Sequence, residues 1–184
     1  MTTRELLEEA ICELPLFEYT FFPSKEIIFS TKVRKICEMN DCGRFNRSWS
    51  CPPAIGTIED CIARCKPYKN TFMFSTVTSV EDSYNFDSCI KAKVDHERVL
   101  LEAAKIFRQY TDSPLVLGTG CMLCEQCSYP NAPCRHPDNM FPSIESHGIL
   151  IMQLAAQYNM SYDCGQNIVT YFGVIFYNDK TYDN

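Results

Sequence analysis

No stretch of this sequence approaches the roughly 20 consecutive apolar residues needed to cross a bilayer. The opening MTTRELLEEAICELPLF carries acids and lacks the apolar run of a secretory leader. Positive charge is scarce as well: 17 Lys and Arg stand against 23 Asp and Glu, a formal net charge of -6. Phosphate backbones are bound through basic stripes, so nucleic acid is not an expected partner. No Ser-His-Asp arrangement is readable, and no P-loop or dinucleotide fingerprint is present. GTGC (118–121) lacks the later glycine and runs into cysteines instead of a helix. Repeats, low-complexity tracts and an interdomain linker are missing too. With 46% hydrophobic residues over 184 positions, these absences leave one globular domain spanning 1–184, expected to be cytoplasmic and to have no membrane role.

Cysteine is what the chain has in excess, with 12. In a secreted protein that number would suggest a disulfide framework, but a reducing cytosol keeps thiols free and available to metal. Oxygen-sensitive clusters would in turn suggest an anaerobic or low-oxygen host.

The most specific pattern is GTGCMLCEQCSYPNAPCRHPD. Cys121, Cys124 and Cys127 are spaced C-x2-C-x2-C, Cys134 follows after six intervening residues, and Pro137 comes close behind. A thiolate at every third position wraps one short loop around a compact cluster, much as in bacterial ferredoxins, which hold 4Fe–4S cubanes. Zinc is the weaker alternative, since its sites read more often as two C-x2-C knuckles separated by a longer insert.

The surrounding sequence reads as α/β: a small mixed sheet with flanking helices and two cysteine-rich cluster loops, at 37–65 and 121–134. Residues 3–13 suit an amphipathic helix, 26–30 (EIIFS) a short strand, and 71–80 a buried strand. The longest helix is expected over 86–110, where Ile90, Val94, Leu101, Ala104 and Phe107 hold a 3.6-residue stripe. LVLGTG then leads a strand into the cluster loop, Ser143 caps a helix running to about Tyr158, and 167–178 closes as a strand. His96 is read as a helix-face residue, and Glu145 and His147 as capping or solvated groups. Arg135 and His136 are read as donors or countercharges near cluster sulfur. Trp49, Tyr68 and Phe45 are read as shields that keep water from a cluster.

A second group, VRKICEMNDCGRFNRSWSCPP, supplies Cys37, Cys42 and Cys51 at C-x4-C-x8-C spacing. Pro52 and Pro53 steer the chain away from the last cysteine. A cubane needs a fourth ligand, and Cys61 and Cys65 sit one turn apart on the next expected helix. If either completes the set, Cys61 being favoured, all irons are held by thiolate and electron transfer is the natural role. If neither does, one iron is open to a substrate. Cys12, Cys89 and Cys164 are read as packed thiols.

Together, VRKICEMNDCGRFNRSWSCPPAIGTIEDCIARCKPYKNTFMFSTV and GTGCMLCEQCSYPNAPCRHPDNMFPSIESHGI resemble a family of cysteine-rich proteins from anaerobic bacteria and archaea. That family is predicted to bind metal and has no known reaction. The resemblance covers roughly residues 30 to 178. It implies metal binding through Cys37, Cys42 and Cys51 and through Cys121, Cys124, Cys127 and Cys134, and it brings no activity with it.

The expectation is therefore an iron–sulfur protein with two 4Fe–4S clusters that transfers electrons to a redox partner protein. Its alternatives are an enzyme with an open iron on the Cys37–Cys42–Cys51 cluster, or a structural zinc protein that binds partners. The oligomeric state is left open, a homodimer included.

Overall fold

The computed structural model describes residues 1–180. Local chemistry starts the helices. Thr2 accepts the Glu5 N–H at 3.2 Å while Glu5 accepts the Thr2 N–H at 2.7 Å, and this reciprocal cap opens α1 (Thr3–Ile11). Ser30 caps α2 (Thr31–Met39), and the pair Thr57 and Asp60 caps α3 (Ile58–Cys65). Asn85 accepts the N–H groups of Asp87 and Ser88 to begin α4 (Phe86–Tyr110), the span expected from its apolar stripe. The last helix, α5 (Ile151–Gln157), has no side-chain cap. Among the described residues no helix is long and apolar enough to cross a membrane.

Four strands form one sheet in the order β1–β2–β4–β3: β1 (Glu18–Pro23), β2 (Asn70–Ser79), β3 (Leu115–Leu117) and β4 (Ile168–Tyr177). Alternation along β2 and β4 serves both faces. Phe72, Phe74, Ile175 and Tyr177 join Leu7 and Ile11 of α1 and Leu100, Ala103, Ala104 and Phe107 of α4. Met73, Phe172, Val174 and Phe176 join Cys65, Ile144, Ile149 and Leu154 on the other side. A sheet covered on both faces explains why these strands read as continuous apolar runs.

The α/β class and the flanking helices stand as expected, but the pairing does not. Every named strand pair is antiparallel, where a mixed sheet was expected. The cause is where β4 inserts. β2 and β3 point the same way across the α4 crossover, as a β-α-β unit requires, yet β4 lies between them and runs against both.

Three local expectations also shift. Residues 26–30 do not form a strand: a 3-10 turn covers Ser24–Glu26, and Phe29 makes a single bridge to Ile149. β1, over EYTFFP, is an additional strand. The helix expected from Ser143 to Tyr158 is broken into a 3-10 turn at Glu145–His147 and α5. Gly148 breaks it with φ +70, and a Cβ there would stand 2.9 Å from the Ser30 carbonyl oxygen.

Candidate metal centre

The Cys121 loop is delivered by β3. The Gly118 N–H donates to Pro142, Ile144 returns a bond to Gly118, and Glu97 accepts both the N–H and the hydroxyl of Thr119 at 2.7 Å. Burial pushes the Glu97 carboxyl up, and the two Thr119 bonds work against that rise. Gly120 then takes φ +95 and turns the chain into the loop. A Cβ at that point would lie 3.6 Å from Cys51 Sγ and 3.8 Å from Lys93 Nζ, so this turn sits against the second cysteine set. Cys121, Cys124, Cys127 and Cys134 line one cavity of about 20 Å³, together with Trp49 and Arg44.

The four thiols are not equivalent. Burial pushes Cys121 up to about 11, with Glu97, Cys134 and Cys124 adding to it against a bond from the Leu123 N–H. Burial also raises Cys127, but the Tyr129 and Trp49 N–H groups, the Ser48 hydroxyl and the Arg135 charge outweigh it and leave that thiol lowered. The His136 N–H approaches Cys134 Sγ at 3.4 Å, and the Arg135 guanidinium donates to Gln126 O at 2.9 Å. Trp49 packs edge-on to Tyr129 at 4.9 Å and donates from Nε1 to Ala132 O, which pins the far side of the loop.

Cys37, Cys42 and Cys51 line a second, larger cavity of about 520 Å³. Cys37 is in the last turn of α2, which ends where Asn40 turns left-handed at φ 61; Cys42 follows in the turn, and Cys51 closes the loop. Burial drives Cys37 up to about 12, and Glu145, Cys51 and Cys42 add to it while Arg34 opposes. Cys51 is raised by burial too, against a bond from Ser50 and the charges of Lys93 and Arg44. Phe45, Lys93, Glu145 and Tyr171 complete much of the wall.

Cys61 and Cys65 do lie one turn apart on α3 and both are buried, but neither lines either cavity. Cys61 Sγ receives Arg64 Nη2 at 3.0 Å and Arg34 Nη1 at 3.7 Å, and its own thiol is aimed at Ile55 O. Cys65 belongs to the apolar core, where burial pushes its thiol up to about 12. Cys89 is different: it lines the larger cavity with the other three. Its position in the sequence gave no sign of this, because the contact depends on how α4 crosses the α2–α3 connection. Cys12 is exposed beyond α1, and Cys164 sits beside the Thr170 hydroxyl at 3.5 Å.

One segment touches both sets. In Ser48–Cys51 the two serine hydroxyls pair at 2.9 Å, and Ser50 Oγ accepts the Cys121 N–H at 3.0 Å while lying 3.7 Å from Cys51 Sγ. Arg44 lines both cavities and reaches Met122 Sδ at 2.8 Å.

The polar residues nearby correct the sequence reading. His96 is 1% exposed, more deeply buried than the solvated or half-buried helix face expected of it: its Nδ1 meets the Thr76 hydroxyl at 2.8 Å and its ring stacks on Phe74. His147 is fully buried, and burial pushes each of the two histidines down to about 4. Glu145 faces the larger cavity, its carboxyl pushed up by burial. Tyr68 lines neither cysteine cavity: its hydroxyl donates to Ser113 O and its ring packs near Phe176. For His96 and Tyr68 the charged neighbours Asp95, Glu97, Lys66 and Lys69 read as a surface, whereas Glu145 and His147 stand in the largely apolar stretch FPSIESHGILI, which was the available sign that they turn inward.

A family model described as "predicted metal-binding protein (DUF2284)" matches residues 20–177. The chain belongs to this family. The matched span of this DUF2284 protein contains both cysteine sets and Cys89. No curated protein and no solved structure matches the chain. The donor chemistry fits the family's description, because thiols from three chain segments line two cavities that share Arg44, and thiolate is the ligand of iron–sulfur clusters and of zinc. Among the described residues no three His, Cys, Asp or Glu side chains are drawn tightly around a single ion position.

Proposed function

We propose that this DUF2284 protein binds two 4Fe–4S clusters and moves single electrons between them and a partner redox protein. One cluster is held by Cys121, Cys124, Cys127 and Cys134, the other by Cys37, Cys42 and Cys51 with one further ligand. The observation that carries the reading is the Ser48–Cys51 strap, whose Ser50 hydroxyl touches the backbone of one cysteine set and a thiol of the other. Two centres sharing a buried strap are built for exchange within the chain. Hydrogen bonds near their sulfurs, such as the His136 N–H at Cys134, are among the features that tune cluster potential. On this reading the partner is a protein, and neither nucleic acid nor membrane takes part.

The size of the larger cavity favours a second reading. Its 520 Å³ falls within the range of small-molecule sites, about 300–1,000 Å³. An iron there without a fourth cysteine would face a substrate, and the chain would be an enzyme.

Anaerobic reconstitution followed by iron, zinc and acid-labile sulfide analysis tests the proposal. Wild type should reach about eight irons per chain, and Cys124→Ser and Cys51→Ser should each lower that by about one cluster. Stoichiometric zinc, or iron that Cys124→Ser leaves unchanged, would contradict it.

A further inference from the structure

We propose that Cys89 is the fourth ligand of the Cys37–Cys42–Cys51 centre, an inference that rests on the two-cluster reading above. Of the five cysteines outside the two sets, Cys89 is the one that shares their cavity. Cys61 is engaged by two guanidinium groups, and Cys65 is packed among Met73, Phe176 and Leu154. Turning Cys65 out of that cluster would open a hole in the core, and Cys61 Sγ is held away from the cavity by Arg34, Arg64 and the Ile55 carbonyl.

Cys89 has little to give up. Its thiol, a weak donor, makes one bond to Ser83 O at 3.3 Å. Its backbone is held from both sides: Asn85 caps the first turn of α4, and the Tyr171 hydroxyl donates to the Cys89 carbonyl at 3.0 Å. One turn further along the same helix, Lys93 Nζ and Cys51 Sγ both lie within 4 Å of where a Gly120 Cβ would stand, and the Lys93 charge acts on the Cys51 thiol, bringing positive charge to a centre crowded with thiolates. Glu145 and Asp41 also line this wall, but cluster iron takes soft thiolate in preference to carboxylate. With Cys89 bound, every iron of the centre is held by the protein, which selects electron transfer over substrate binding.

The full chain, reconstituted with ⁵⁷Fe under anaerobic conditions, can be compared by Mössbauer spectroscopy as wild type, Cys89→Ala, Cys61→Ala and Cys65→Ala. Cys89→Ala should lose about one iron of eight or display one iron with a changed signal. Added 2-mercaptoethanol should restore the wild-type spectrum by supplying the missing thiolate. The two α3 variants should keep the wild-type signal. A wild-type spectrum and full iron in Cys89→Ala overturn the inference and leave the two-cluster reading intact; wild type that stops at about four irons overturns both. Because Cys89→Ala depends on folding, iodoacetamide labelling of wild type read by mass spectrometry gives an independent answer. Cys89 should be protected in the loaded protein and labelled in the metal-free one, and equal labelling in both overturns the assignment.

Discussion

Burial governs the individual side chains of this protein before any metal arrives. It pushes Cys37 up to about 12 and Cys121 up to about 11, so neither gives up its proton readily until a cation compensates the charge. The same force acts in the opposite sense on His96, whose folded value falls from 6.5 to about 4. The unfolded chain takes up a proton at the ordinary value and the folded chain resists, so stability is complete above about pH 6.5 and is lost as pH falls toward 4. The shift corresponds to a loss on the order of 3 kcal/mol at pH 4 relative to neutral. His96→Phe keeps a ring against Phe74 and removes the proton site, so its urea midpoint should decline less over this window than that of wild type. Parallel declines would contradict the assignment of His96 as a buried neutral ring.

At the scale of elements, what can be read from sequence divides along the range of the forces involved. The 86–110 helix is legible because its apolar stripe lies wholly within it, and β2 and β4 are legible because β-forming residues fill both faces. β1 was missed, since only Phe22 of its six residues is buried. The break at Gly148 was missed because a glycine inside a helical stripe leaves the outcome to its surroundings, and what holds the turn, the Ser30 N–H donating to the Gly148 carbonyl at 2.7 Å, comes from far earlier in the chain. Of the candidate site, the two cysteine motifs were visible as spacing, while the separation of Cys61 from the cavity and the inclusion of Cys89 come from tertiary crossing alone. Gly148→Ala would combine a left-handed backbone with a 2.9 Å contact to main chain, and should cost about 1–3 kcal/mol in chemical denaturation. A loss under about 0.5 kcal/mol would mean that the Ser30 segment yields easily and does not hold this turn.

Across the whole molecule, the insertion of β4 between β2 and β3 fixes where the cysteines meet. It sets β3 at the sheet edge, from which the Cys121 loop departs and lands on Ser50 of the strap. The α4 crossover, needed to join β2 to β3, brings Cys89 and Lys93 to the wall of the larger cavity. The topology thus draws cysteines from three distant stretches of sequence to two adjoining cavities, and the central claim is that these hold two clusters that communicate. Electron paramagnetic resonance of the anaerobically reconstituted, fully reduced chain tests this most directly. The predicted result is a signal broadened or split by magnetic interaction between two reduced clusters, which collapses to one simple cluster signal in Cys51→Ala. A wild-type spectrum of one isolated cluster, unchanged in that variant, would contradict it.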